Sequence, residues 1–106
     1  MYTELKPNYD GAKSFYGKAY IETWGGWGQN VRLYSYDKLV ASIGYIADDE
    51  GEERFVCLLH EDWDYGPTTL RHVKEFLQQF GFGKYTKREI LQDAVKYGDD
   101  LMLIRP

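Results

Sequence analysis

The sequence is poor in the residues that carry most recognisable active-site chemistry. It has one cysteine and two histidines in 106 residues. A single cysteine excludes an intramolecular disulfide and favours a reducing compartment. No apolar stretch reaches the length of a membrane span, and the first ten residues contain no apolar signal core. We therefore expect a cytoplasmic protein that makes no membrane contact.

Clusters of basic residues are also missing. The formal net charge is −4, and its distribution is uneven. Residues 1–53 hold nine acids against five bases, whereas residues 54–106 hold eight of each. A protein that binds the phosphate backbone of a nucleic acid usually has a patch of basic residues. Nucleic acid is therefore the less favoured class of partner.

Aromatic and apolar residues, in contrast, are abundant. They include ten Tyr, three Trp and five Phe, and 43% of the chain is hydrophobic. A chain of this length and composition can bury a core without disulfides or metals. We expect an irregular N-terminal arm over residues 1–12 and one α+β domain over residues 13–106.

The hydrophobic pattern changes its period once along the chain. Alternation of apolar and polar residues predicts strands at 13–24, 31–36, 39–46 and 54–60, with a glycine-rich turn at 25–30. Helical spacing then predicts helices at 68–80, which Gly81 ends, and at 86–97, which Thr86 and Glu89 begin as a capping box. The expected fold is an antiparallel meander of about four strands followed by two helices packed on one sheet face. A short fifth strand within residues 99–105 is a further possibility.

The stretch WDYGPTTLRH, residues 63–72, holds the densest set of reactive side chains. A structural interpretation explains most of it, because Gly66-Pro67 turns the chain and Thr68 or Thr69 can cap the helix. Trp63 and Tyr65 would then pin the loop to the core. Arg71 and His72 remain unexplained, since cations are disfavoured at a helix start. We expect Asp62, Asp64 or a group on another molecule to partner them.

Catalytic interpretations of the same region are weaker. His60, His72 and the neighbouring carboxylates leave open a hydrolase or a metal site around His60 and His72, but no metal-ligand spacing is present. A calcium loop counted from Asp62 fails because its twelfth position is Val73. Cys57 lies in an apolar run typical of an inert core thiol. We expect no enzymatic activity, no catalytic residue, no metal and no cofactor.

Two further features favour binding. Strand phase places Tyr16, Tyr20, Trp24, Tyr34 and Tyr36 on one sheet face with Lys18 and Arg32, which would suit a protein contact or base stacking. The alternative is that this face is covered. The turn at 48–53 carries five carboxylates, which form either a solvated hairpin tip or a contact with a basic partner. The candidate binding residues are Tyr16, Tyr20, Tyr34, Tyr36, Trp63, Tyr65, Arg71, His72, Asp48, Asp49, Glu50, Glu52 and Glu53.

Three segments carry a resemblance to a known family. KSFYGKA (13–19), LYSYDKLVASI (33–43) and TTLRHVKEFLQQ (68–79) resemble small uncharacterised proteins, a domain of unknown function, found in bacterial genomes, phages and other mobile elements. The resemblance covers most of residues 13–80 and implies a bacterial host cell. The recurring motif positions it implies are Tyr16, Tyr34, Tyr36, Trp63, Thr69, Arg71 and His72. It implies no activity.

These observations favour a small accessory protein that acts by binding. A host protein, such as a nucleic-acid-binding enzyme, is the expected partner, and one version is an anti-CRISPR-like inhibitor of a defence nuclease. The alternative is a single-stranded nucleic-acid-binding module that uses the aromatic sheet face. Affinity that falls steeply with salt would distinguish the second from the first.

Overall fold

A computed structural model of the chain describes residues 2–24 and 30–106. Within these residues there are seven strands and two helices: β1 Tyr2–Glu4, β2 Ala19–Trp24, β3 Asn30–Ser35, β4 Lys38–Ala47, β5 Glu53–Leu59, α1 Pro67–Gln79, α2 Lys87–Asp93, β6 Val95–Tyr97 and β7 Asp100–Ile104. The strands form one antiparallel sheet in the order β1-β2-β3-β4-β5-β7-β6. The glycine-rich turn predicted at 25–30 lies, apart from Asn30, outside the described residues.

The predicted meander of about four strands is wrong in its strand number, because the described residues form seven. β2 to β5 correspond to the predicted strands, and both ends of the chain add more. Residues 2–4, inside the arm expected to be irregular, form β1 and pair with β2. β7 lies within residues 99–105, the range of the possible fifth strand, and β6 pairs with it to form a hairpin. Strands of three residues carry too little alternation to be recognised in a sequence.

The start of the first predicted strand is also corrected. β2 begins at Ala19 rather than at Lys13. Tyr16 and Gly17 have φ angles of 54° and 70°, so the chain turns here instead of running extended. This turn separates Tyr16 from the face on which it was expected.

Within the described residues, the sheet buries one face under the two helices, and no helix covers the other face. Ala19, Leu33, Ala41 and Cys57 on the buried face are completely inaccessible, and they belong to the same core cluster as the helix residues Phe76, Leu77 and Ile90. Each large apolar side chain buried in this way stabilises the fold by roughly 1.5–3 kcal/mol. The opposite side is called the open face below. It carries Tyr20, Arg32, Tyr34 and Ser42, as the strand register requires.

α1 begins and ends on recognisable backbone signals. Pro67 occupies the first helical position, where its missing N–H costs nothing. Gly81 has a φ of 83°, and the N–H of Phe82 donates to the carbonyl of Leu77 at 2.9 Å, which is a Schellman ending. The stop predicted at Gly81 is confirmed.

The helical spacing of the sequence predicts a buried stripe of Leu70, Val73, Leu77 and Phe80 with Phe76 beside it, and the buried side of α1 is rotated relative to that stripe. Thr69, His72, Val73, Phe76 and Leu77 are buried, as is Glu75, whereas Leu70 is only half-buried. The sequence pattern missed this rotation because three of the inward positions are polar.

α2 is shorter than predicted. The capping box is confirmed, because the Thr86 hydroxyl accepts from the N–H of Glu89 and the Glu89 carboxylate accepts from the N–H of Thr86. The helix ends at Asp93 rather than at Tyr97, and Ala94 already has extended backbone. Ile90 is fully buried, but Leu91 and Val95 are about half exposed. Neither helix of the described residues is long and apolar enough to cross a membrane.

The segment after β1 is held against α1 by polar contacts. The buried carboxylate of Glu75 accepts hydrogen bonds from the backbone N–H groups of Tyr9 and Asp10, at 2.9 and 2.8 Å. The Arg71 guanidinium binds the Asp10 carboxylate through two nitrogens, one of them at 2.9 Å. Gln79 donates to Glu75 and to the carbonyl of Lys6. Residues 5–12 therefore form a strap across the helix.

Candidate functional site

A cleft of about 410 Å³ opens where α1 begins. It is called the α1 cleft below, and its lining consists of Ser35, Tyr36, Lys38, Val40, Asp62, Tyr65 and residues 66–69. Tyr65 and Tyr36 stand on it with 82% and 53% of their surface exposed. A partly apolar cavity of this size with a few converging polar groups is the usual form of a binding site.

The β3–β4 turn builds one wall of the α1 cleft with strained backbone. Tyr36 and Asp37 have φ angles of 50° and 65°, which is a two-residue hairpin turn of the left-handed type. Asn, Asp and Gly usually occupy such positions, and a Tyr there costs roughly 1–2 kcal/mol. Asp62, on the other side of the cleft, also has a positive φ, 66°. Backbone strain of this kind concentrates at functional sites.

Beneath the cleft lies a buried chain of polar side chains. The Ser35 hydroxyl is 3.0 Å from the Thr69 hydroxyl and 2.8 Å from Nδ1 of His72. All three residues are at most 5% exposed. The Phe15 ring packs on the His72 imidazole at 4.6 Å between centroids, and the Tyr36 ring lies at 6.0 Å. This network ties the cleft wall to α1.

His72 is a neutral core residue. Burial, reinforced by the nearby positive charge of Arg71, lowers the pKa of its imidazole to about 4. Its Nε2 is buried and has no hydrogen-bond partner among the residues that the structure describes. His72 is absent from the cleft lining, so it supports the site from below rather than presenting an imidazole to a ligand.

The prediction of Asp62 or Asp64 as the partner of Arg71 and His72 is wrong. Arg71 binds Asp10 in the strap, and His72 bonds to Ser35. The helix begins at Pro67, so Arg71 is the fifth helical residue and lies beyond the first turn. The unfavourable interaction of a cation with the helix dipole is confined to that first turn. Asp10 could not be predicted as the partner of Arg71 from sequence spacing, because the two residues are sixty-one positions apart.

Asp62 and Asp64 each bind a lysine instead. Asp62 binds Lys38 at the mouth of the cleft, and this hydrogen bond raises the pKa of the lysine. Asp64 lies 3.4 Å from Nζ of Lys87 in α2. The cleft mouth therefore carries one balanced ion pair, exposed to solvent.

The structural interpretation of WDYGPTTLRH is confirmed in part. Trp63 is 7% exposed and joins the core, but Tyr65 projects into solvent at the cleft. The proposed threonine cap is wrong: Gly66 is the N-cap residue, and α1 has no side-chain cap. Thr69 is used in the buried network instead, and Thr68 is exposed.

The predicted aromatic face is divided between two places. Tyr20 and Tyr34 are cross-strand partners on the open face, half-buried, and the Tyr2 ring lies 5.8 Å from that of Tyr34. Tyr16 and Tyr36 lie in turns instead, and both are exposed. Of Trp24, only its backbone place in β2 belongs to the described structure.

The open face near these tyrosines is not basic. Tyr34 donates its hydroxyl to Glu22 at 3.0 Å, and Nη1 of Arg32 lies 3.9 Å from the same carboxylate. Glu4 pairs with Tyr20 in the register of β1 and β2. Carboxylates beside the rings oppose a phosphate backbone.

The acidic turn closes on itself. The Asp48 carboxylate accepts from the N–H groups of Glu50 and Glu52, at 3.0 and 2.9 Å, and from Arg54 at 3.3 Å. The backbone hydrogen bonds, that from Glu52 first, lower the pKa of Asp48. Asp49, Glu50, Glu52 and Glu53 are exposed. The turn follows the far end of β4, about 30 Å from the cleft at a strand rise of about 3.3 Å per residue.

The two histidines do not meet. His72 lies under the helix side of the sheet, while His60 bonds to Ser42 on the open face, so one metal ion cannot reach both. No group of three His, Cys, Asp or Glu side chains within residues 2–24 and 30–106 is arranged to hold a metal. Burial raises the pKa of the Cys57 thiol, which leaves it unreactive at neutral pH.

Comparison with known proteins gives a family but no activity. The model of a family of unknown function (DUF8033) matches residues 3–92. No curated protein and no solved structure matches the chain. The family match extends past the segments that carried the resemblance at both ends, and it includes every residue that lines the α1 cleft.

Proposed function

We propose that this chain, which belongs to the family of unknown function (DUF8033), acts by binding a protein partner through the α1 cleft. The observation that carries the proposal is the pairing of a preformed cleft with strongly exposed aromatic side chains. Tyr65 is 82% exposed and lines a cavity of about 410 Å³. Tyrosines at such places often dominate the energy of protein interfaces.

The occupant that fits is an apolar or aromatic side chain projecting from the partner. Val40 and Pro67 supply apolar walls, while the hydroxyls of Ser35 and Thr69 are already engaged with each other and with His72. The Lys38–Asp62 pair at the mouth can shift onto polar groups of the partner without leaving a buried charge.

Charge supports a basic partner surface. The chain carries a net charge of −4, and four carboxylates of the acidic turn are exposed to solvent. A bacterial host protein that binds nucleic acid, such as a defence nuclease, has a basic surface of this kind. An inhibitor in a phage or mobile element would use it.

Single-stranded nucleic acid is the second candidate. The Tyr2–Tyr34 contact and the Lys18 ammonium 5.9 Å from the Tyr36 ring favour it, because bases stack on such rings. Glu22 and the net charge oppose it. Binding of an oligothymidine probe that weakens steeply with salt would support this candidate. Absent or salt-insensitive binding would remove it.

The test of the proposal compares three immobilised proteins in a bacterial lysate. They are the wild type, Tyr65→Ala at the cleft and Tyr97→Ala on β6 as a control. Both tyrosines are exposed, so neither substitution should unfold the chain. We expect a stoichiometric protein retained by the wild type and by Tyr97→Ala and lost by Tyr65→Ala. Capture that is equal for all three, or absent from all three, would overturn the proposal.

A further inference from the structure

A second constellation lies on the open face, away from the α1 cleft. The Ser42 hydroxyl is 2.6 Å from Nε2 of His60, and Nδ1 of His60 is 3.1 Å from Oδ2 of Asp100. A nucleophile, a base and a carboxylate that orients the base therefore stand in hydrogen-bonding sequence. This is the geometry on which serine nucleophiles depend, whatever the fold.

The sheet sets these three positions with little freedom. β4, β5 and β7 are consecutive neighbours, and Ser42 lies in the first of them while Asp100 begins the last. His60 directly follows β5, and its N–H donates to the carbonyl of Val40 at 2.9 Å. The side chains of His60 and Asp100 keep 21% and 28% of their surface exposed, so solvent and small molecules reach them.

Beside Ser42 the open face has a groove of about 220 Å³. Its lining includes Ser42, Gly44, Ile46 and Leu58, which give a mainly apolar floor. Arg32 also lines it and is the direct cross-strand partner of Ser42. Opposed residues in a sheet have Cβ atoms about 5 Å apart, so the Arg32 side chain begins beside that of Ser42.

We propose that Ser42, His60 and Asp100 form an acyl-transfer site that hydrolyses small esters bound in this groove. Ser42 Oγ attacks the ester carbonyl carbon, and its proton passes to Nε2 of His60. Arg32, which lines the groove, contributes positive charge there when the oxyanion forms. The C–O bond to the alcohol then breaks, and His60 returns the proton to the leaving oxygen. Water, activated by His60, hydrolyses the acyl-serine and restores the hydroxyl.

The roles of the three residues differ. Ser42 and His60 are catalytic residues, because they touch the reacting atoms. Asp100 is a positioning residue, which holds the imidazole so that Nε2 faces Ser42. The groove limits the acyl group to a few carbons, since about 220 Å³ is below the size of a typical drug-sized pocket. The sequence left open a hydrolase around His60 and His72. The proposed site is a hydrolase site that uses His60 but not His72.

The experiment measures covalent labelling of the full chain by a fluorophosphonate probe, followed by peptide mass spectrometry. Attack by Ser42 Oγ on phosphorus expels fluoride and leaves a stable phosphonyl-serine. We expect one adduct, on Ser42, and slow turnover of p-nitrophenyl acetate. Ser14→Ala is the matched control, because Ser14 has no histidine partner among its hydrogen bonds within the described residues. It should leave both readouts unchanged.

Two variants separate catalysis from folding. His60→Gln should lower the labelling rate by about 100-fold or more, the usual contribution of a general base. Asp100→Asn should lower it strongly at an unchanged melting temperature, and Asp100→Glu should recover part of it, which a purely structural role would not produce. Absence of an adduct on the wild type would overturn the proposal. So would labelling that persists in His60→Gln, or ester turnover that survives Ser42→Ala.

Discussion

The Ser35 hydroxyl and Nδ1 of His72 lie 2.8 Å apart in the core, beneath the α1 cleft. The contact joins the last residue of β3 to the sixth residue of α1. Burial there favours the neutral imidazole, so the cleft wall depends on the protonation of His72, a residue that does not line the cleft.

Acid should therefore loosen the fold over a defined range. The folded-state pKa of His72 is about 4 and the ordinary value is 6.5, so the unfolded chain binds the proton first. This contribution is fully present above pH 6.5 and is lost as the pH falls to about 4. At about 1.4 kcal/mol per unit it amounts to roughly 3 kcal/mol.

Urea unfolding between pH 7 and pH 4 measures this loss, and NMR of the imidazole resonances assigns it. His72→Asn should flatten the dependence of the unfolding free energy on pH in that window, whatever its stability at pH 7. A His72 that titrates near 6.5 in the folded protein would contradict the burial argument.

Relieving the strain at Tyr36 should raise the stability of the fold and weaken binding of the partner. In Tyr36→Asn the left-handed φ of 50° is carried by a residue that tolerates it, so we expect the free energy of unfolding to rise by ~0.5–1 kcal/mol. The same variant should lose capture of the partner, because the ring leaves the cleft. Denaturant unfolding and lysate capture measure the two effects. A Tyr36→Asn protein that binds as well as the wild type would remove Tyr36 from the interface.

Two threonines at helix starts should respond differently to truncation. Thr86→Ala removes a cap that accepts from the N–H of Glu89 at 3.1 Å, and should cost about 1 kcal/mol. Thr68→Ala removes an exposed hydroxyl next to an uncapped start and should change little. Thermal unfolding of both variants compares them. Equal losses would mean that the caps are assigned to the wrong residues.

Features that depend on residues close together in the sequence could be predicted, and features that depend on distant residues could not. The capping box of Thr86 and Glu89 and the stop at Gly81 depend on neighbours along the chain, and both are confirmed. The hydrogen bond between Ser35 and His72 joins residues thirty-seven positions apart, so no local sequence pattern indicates it.

The strand count failed for a related reason. β1 and β6 have three residues each and are recruited to existing edges by backbone hydrogen bonds. The threonine cap at α1 failed because the helix already begins at Pro67, so both threonines lie inside it, and Thr69 bonds to Ser35. The Ser42–His60 hydrogen bond likewise joins β4 to the residue that follows β5, so no local sequence pattern indicates it.

The strap should detach when its buried anchor is removed. Glu75 is 1% exposed and accepts from the N–H groups of Tyr9 and Asp10. Glu75→Ala should cost about 1–3 kcal/mol and raise hydrogen exchange at those two amides. The exposed Glu61→Ala is the control and should stay within about 0.5 kcal/mol of the wild type. Unchanged exchange in Glu75→Ala would show that apolar packing alone holds the strap.

Site-specific photocrosslinking tests the central claim, that the α1 cleft is a protein-binding site, most directly. Tyr65→p-benzoylphenylalanine places the crosslinker on the cleft, and Tyr97→p-benzoylphenylalanine places it on β6 at the far end of the sheet. After irradiation in bacterial cells, we predict one discrete protein adduct from position 65 and none from position 97. The same adducts from both positions, or no adduct from position 65, would contradict the account.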